Sequence, residues 1–471
     1  MGRAITQICI FVGAISIISG CAAPGSIGTT RSLATEAQQP EATGWKIKFE
    51  ESYSNPVVVD GVLYVGSADG AVYALDPKTG ETKWRFQTGK SLLDMTPAVE
   101  SGTVFIGSED QSFYAIDAET GKKKWSYVVG QGMASLRGKR SAAVINNGTV
   151  YFVTVDGLHA LDALTGKRRW LFETLQEKTP KQKKRLPSGP VMGDSVIFLT
   201  AWPSMPDDTP RKSFVYAVDP ESGKAKWVIS VNGLDITAPV EAKGVVFFAV
   251  KEEEPTLLTS PLLTSSSERV TLYAINASDG QVKWKIGTED KFVAGAMSAE
   301  HIFGAGRLLV ADNTIIFSTD TSLLVLEPET GRHLWNFFIS ADKVTTNFRA
   351  DNKHLYVVTY KGYPTFRSNS TLHALVLSTG QEKWSQRLSG YVRVAMIHDG
   401  VVYADGERLH AIDAATGKEL WSFKGTGRER AHLISGGRIF LTSPTERYFG
   451  TTRVDQGYLY AIDARTGKIK P

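Results

Sequence analysis

The chain has 471 residues, 42% of them hydrophobic and 22% charged, an ordinary globular balance that excludes wholesale disorder and a polytopic membrane protein. Its 53 basic side chains stand against 49 acidic ones, a net charge of +4 and too even for nucleic acid to be the main partner. Two cysteines, Cys9 and Cys21, exclude a disulfide-stapled scaffold and a four-thiolate zinc site.

After Arg3, no residue from Ala4 to Ile18 is charged. This apolar run falls short of the roughly 20 residues that span a bilayer, and it reads as the core of a signal peptide over residues 1–20. Ile18-Ser19-Gly20-Cys21 resembles the bacterial lipobox, in which small residues admit the signal peptidase and the cysteine thiol takes the diacylglycerol. Cys21 is therefore the expected lipidation site and mature N-terminus. Ordinary cleavage near Ala22 and Ala23 is the alternative. Met1-Gly2 with Thr6 matches a myristoylation pattern, but a secretion signal stands directly behind it. Ala22 occupies the place where an inner-membrane retention signal has Asp, so an outer-membrane address is expected in a two-membrane envelope. Residues 21–43, rich in Ala, Thr, Ser, Gly, Gln and Pro, form a lipidated flexible tether.

From residue 44 to 471 one phrase recurs. Tyr73-Ala74-Leu75-Asp76 is followed by Thr79-Gly80 and Trp84, and the same order returns around Trp125, Trp170, Trp227, Trp284, Trp335, Trp384 and Trp421. A ninth copy, Tyr460-Ala461-Ile462-Asp463 with Thr466-Gly467, reaches Pro471 without its Trp, while Thr43-Gly44-Trp45 stands alone at the start. Each copy reads as a strand, a turn needing Asp and a positive-φ Gly, and a strand carrying Trp on one face. A further hairpin precedes each, so the unit is four antiparallel strands, a propeller blade. The fold expected is all-β, a single propeller of nine counted units, with the strand beginning at Trp45 completing the last blade. Repetition at one motif position makes the nine Trp residues packing elements rather than an aromatic ligand cage.

The Tyr-Ala-Ile-Asp, Thr-Gly and Trp pattern resembles the quinoprotein-type, or PQQ-like, β-propeller repeat. With the lipobox, the chain is similar to the BamB family of lipoproteins of the outer-membrane β-barrel assembly machine. The resemblance covers residues 45–471 and implies eight blades as the family norm, the alternative to nine. It also implies a test, because quinone dehydrogenases share the repeat and resemble one another in a vicinal disulfide, a calcium held by side-chain oxygens and an Asp base. The mature chain cannot form that disulfide, and Asp76 and Asp413 already have turn duties. No catalytic, metal or cofactor residues are assigned, and PQQ and calcium are not expected. His159, His373 and His410 fill the slot where other copies have Tyr and read as blade residues.

Function is expected on loops borne by the rigid ring. Four long insertions, at 201–213, 251–270, 361–370 and 443–457, lie between the second and third strands of their units, and 176–189 links two blades on the same face. They bring Trp202, Tyr363, Phe366, Arg367, Tyr448 and Phe449 to one rim, and aromatic residues with Arg are typical interface anchors. Lys181, Lys183, Lys184 and Arg185 form a basic loop, read either as solvated or as a contact for anionic headgroups or an acidic partner. The function expected is a non-enzymatic, lipid-anchored envelope scaffold, monomeric within a complex. It would assist outer-membrane β-barrel assembly by contacting the insertase or unfolded outer-membrane proteins. A quinone-binding or ligand-sensing propeller and a surface adhesion or structural module are the alternatives.

Overall fold

The turn of the repeat explains the unit. In the first blade the Asp76 carboxylate accepts the backbone N–H groups of Lys78 at 2.7 Å and Thr79 at 3.1 Å, and Gly80, at φ +79°, donates its own to the Asp76 carbonyl at 2.8 Å. A computed structural model describes residues 44–49, 54–92, 96–129, 143–174, 186–202, 212–233, 235–252, 269–287, 308–318, 322–338, 343–361, 369–449 and 452–469. Among the described residues there is no helix; the strands form nine separate antiparallel sheets.

Blades 1 to 8 run along the chain at 57–87, 98–128, 144–172, 186–232, 235–287, 308–338, 343–388 and 392–423. Each has four strands in sequence order, although in blades 4 and 5 the first strand is broken into two short pieces that pair with the same neighbour. Blade 9 takes three strands from residues 430–463 and its fourth from Trp45–Phe49, which pairs antiparallel with the third, Trp45 opposite Ala461. That is the closure expected from the detached motif, and the register repeats that of Trp84 opposite Ala74 and Trp421 opposite Ala411. First strands of neighbouring blades approach one another, as in blades 7, 8 and 9, so they line the inside of the ring. Fourth strands such as Thr82–Gln87 alternate buried and exposed residues and form the outside.

The Trp residues join the blades. In every blade with a contiguous fourth strand, a β-bulge lies beside the motif position opposite Trp, which re-aims the strand there. Each indole then covers the turn of the next blade. Trp45 lies on Gly80, Trp84 on Gly121, Trp125 on Gly166, and so on through Trp384 on Gly417 and Trp421 on Gly467. A Cβ at Gly121 would sit 2.7 Å from the Trp84 ring, so glycine is required here for space as well as for its positive φ. Indole N–H groups donate to carbonyls of the same turns, Trp45 to Pro77 at 3.1 Å and Trp335 to Leu377 at 2.8 Å.

Nine such steps return to the starting blade, so the ring has nine blades and the eight-blade alternative is set aside. The apolar core is accordingly divided among the joints. One cluster joins Phe105, Phe113 and Trp125 of blade 2 to Val150, Phe152 and Leu161 of blade 3; another joins Trp45, Phe49 and Leu459 of blade 9 to Leu63, Val65 and Leu75 of blade 1.

Candidate functional site at the channel rim

The insertions do lengthen one rim, but partly as strand rather than loop. In blade 1 the two middle strands have five residues each, Val62–Gly66 and Ala71–Leu75. In blade 5 they have eight, and in blade 9 twelve, Arg438–Phe449 and Thr452–Asp463. Antiparallel pairing continues wherever a partner strand runs alongside, and hydrophobic patterning does not reveal that. Trp202 is therefore the last residue of the strand Ile197–Trp202, opposite Leu186, and Tyr448 and Phe449 stand opposite Arg453 and Thr452 in the blade 9 hairpin. Tyr363, Phe366, Arg367, Lys181, Lys183, Lys184, Arg185 and Cys21 lie outside the described residues.

The rim also carries a buried polar cluster at the inner edge of blades 8 and 9, which reading the repeats does not find. Arg393 of the first strand of blade 8 (Val392–His398) stands opposite Asp405 of the second (Val401–Gly406). Two charge-assisted bonds join them, Nε to Oδ1 at 2.6 Å and Nη2 to Oδ2 at 3.0 Å. Asp405 is 1% exposed, and it also accepts the backbone N–H of Ala431 in blade 9 at 2.8 Å. The bond from Ala431 to Asp405 thus fastens one blade to the next. Arg393 lines the channel, so 42% of its side chain remains accessible, and the carboxylate holds it charged.

Glu429, also 1% exposed, leads into the first strand of blade 9. Its Oε1 accepts the Gly425 N–H at 2.7 Å and the Ser443 hydroxyl at 3.3 Å, while Oε2 has no partner among the described residues. Burial pushes its pKa up to about 7. In blade 7, burial and then repulsion from Arg393 lower the proton affinity of Arg349.

The Asp405 signal is present in the sequence once the register is known. Counting two residues on from the position opposite the motif Ala gives Gly66, Gly107, Val153, Thr200, Ala249, Ser318, Val358, Asp405 and Thr442. Asp405 is the single charge in that column.

This donor set does not fit a calcium-bound quinone. The Asp405 oxygens are committed to Arg393 and Ala431, Glu429 retains a proton up to neutral pH, and no three His, Cys, Asp or Glu side chains among the described residues converge to hold a metal. The three motif histidines are part of the blade packing, His159 and His373 also meeting Tyr127 and Phe337 of the preceding blades. His159 lies over Phe152 with ring centroids 5.0 Å apart, and burial lowers its pKa to about 4; His373 Nδ1 is 2.7 Å from Glu382 Oε2, and His410 Nδ1 is 3.0 Å from Glu419 Oε2.

The family described as outer membrane protein assembly factor BamB matches residues 34–204, 177–368 and 348–470. The chain belongs to the BamB family. A curated relative, the outer membrane protein assembly factor BamB of Moranella endobia (strain PCIT), is 26% identical over 192 residues, which are 40% of this chain and 43% of that protein. Among solved structures, BamB from Moraxella catarrhalis is 14% identical with a TM-score of 0.46, covering 80% of this chain and 98% of that one. The quinohemoprotein alcohol dehydrogenase from Comamonas testosteroni is 14% identical with a TM-score of 0.51, covering 92% and 79%. At such identity the dehydrogenase shares the fold alone.

A pH test follows from Glu429. Unfolded, its carboxyl has the ordinary value of 4.5, whereas folded it stands at about 7, so the folded state binds the proton more tightly. Its contribution is fully favourable below pH 4.5 and is lost as pH rises through 7, by about 3 kcal/mol. The urea midpoint of Glu429→Gln is expected to fall less than that of the parent chain between pH 5 and pH 8. Equal falls would show that Glu429 ionises as readily folded as unfolded.

Proposed function

We propose that the chain is a non-enzymatic scaffold of the bacterial envelope, anchored by lipid at Cys21, that assists assembly of outer-membrane β-barrel proteins through protein contacts. Membership of a family of outer membrane protein assembly factors carries the reading. The architecture agrees with it: nine blades locked by Trp–Gly joints form a rigid ring, and the insertions concentrate on one rim. The turn carboxylates and motif histidines are engaged within the blades, so the reading assigns no catalytic group and no cofactor. Residues 1–20 would be removed as a signal peptide, and residues 21–43 would tether the ring to the membrane, facing the periplasm in a two-membrane envelope.

The experiment is mild detergent solubilisation of native membranes, capture through a C-terminal tag, and mass spectrometry, alongside a Cys21→Ser control. Recovery of a β-barrel insertase with the parent chain is expected, with the control lost from the membrane fraction. Good yield of the chain without the insertase would overturn the assembly role.

A further inference from the structure

The hairpin of blade 9 runs on past the strands that cover its edges. Its strands stay in register from Arg438 opposite Asp463 to Phe449 opposite Thr452. The first strand of the blade, Arg430–Ser435, stops pairing at Thr442, and the closing strand stops at Gly457. Beyond those points, residues 444–449 and 452–456 pair only with each other among the described residues. In blade 7 the described residues of the two middle strands are paired on both edges as far as Lys361, opposite Lys343, and Ser370, opposite Leu388.

An uncovered strand turns alternate N–H and C=O groups outward, a template for another strand. This chain already completes blade 9 in that way, by adding Trp45–Phe49 antiparallel to residues 457–461 from the other end of the sequence. The edge of 444–449 left without a paired strand lies on the side of the first strand, just beyond Ser443, whose hydroxyl accepts the N–H groups of Thr426 and Gly427. Arg393 lies at its base, because its partner Asp405 also holds the N–H of Ala431, the residue opposite Leu441. With Nε and Nη2 given to Asp405, the Nη1 group has no protein partner among the described residues, and solvent reaches the side chain.

We propose that residues 444–449 form a strand-addition site for an extended polypeptide segment bearing an acidic side chain, which Arg393 receives. The six residues offer about 20 Å of edge, less the N–H that Pro444 lacks. Backbone pairing supplies affinity without regard to sequence, and the arginine supplies selection. The inference rests on the reading of this chain as a scaffold that works through protein contacts.

The probe is a fluorescent peptide of about ten residues alternating Val and Glu, titrated into the purified full-length chain. Saturable binding is expected. Methylating every second amide nitrogen of the peptide should weaken it about tenfold or more, and exchanging Glu for Lys should weaken it about tenfold. A variant with residues 445–455 replaced by Asn-Gly, checked for an unchanged urea midpoint, should bind no better than the parent chain binds the methylated peptide. Should that variant fold poorly, a photo-crosslinking residue at Thr445 should capture the peptide, and one at Asn147, in a turn on the opposite face, should not. Equal binding of the methylated peptide, or equal capture at the two positions, would overturn the site; equal binding of the Lys peptide would remove Arg393 from it. Such failures leave insertase capture untouched, whereas failed capture with peptide binding intact would overturn the assembly role and keep the site.

Discussion

Trp45→Ala is expected to lower the stability of the ring by about 3–5 kcal/mol, the range for deleting a large buried aromatic side chain. Trp45 is 8% exposed, its indole N–H donates to the Pro77 carbonyl at 3.1 Å, and its ring lies against Gly80 and near Phe440. The substitution strips the joint between blades 9 and 1 from a strand that no turn connects to the rest of its blade. Trp84→Ala removes an equivalent contact with Gly121, but its strand stays connected to its own blade by a tight turn. Urea unfolding should show losses of this order for both variants. Hydrogen exchange should separate them: only Trp45→Ala should expose the amides of 458–461, which pair with the closing strand. Protection of those amides equal to the parent chain would show that backbone pairing closes the ring without the indole.

Asp405→Ala is expected to cost less, about 1–3 kcal/mol, and for a different reason. It leaves the Arg393 guanidinium at the inner wall without its counter-ion and the Ala431 N–H without an acceptor. Replacing both partners, Arg393→Met with Asp405→Ala, should recover part of that loss, because the larger penalty belongs to the unpaired charge rather than to the missing attraction. The comparison of urea midpoints among the two single variants and the double variant measures the coupling. A double variant no more stable than Asp405→Ala would show that Asp405 matters for the blade 8 to blade 9 bond to Ala431 and not for its charge.

The hairpin unit was legible because its causes are local. Asp, Thr and Gly within one turn, and a Trp a few residues on, specify a motif whatever surrounds it. The closing strand was legible for a related reason: Trp45 lacks a preceding motif and the last motif lacks a Trp. The insertions were less so. Residues 443–457 read as a loop from composition, yet Ser443 stands opposite Tyr458 and Phe449 opposite Thr452, because antiparallel partners running side by side keep pairing beyond the ring. The cluster at the channel rim was not legible from motifs. Arg393 and Asp405 are separated by a turn and belong to no recurring phrase, and Glu429 meets blade 8 through its backbone N–H, which donates to the Gly406 carbonyl.

Short-range turn chemistry specifies the repeating four-stranded unit and its nine copies, and the unpaired motif halves at 43–45 and 460–467 specify the pairing of the first strand with the last blade. That nine units close one ring rests on packing between blades, because closure depends on each indole finding the glycine of the following turn. Tertiary structure also decides which polar groups meet at the inner rim. Bulges and registers set which first-strand residues face the channel, and a charge is held there only when a partner on another strand is brought within hydrogen-bonding distance.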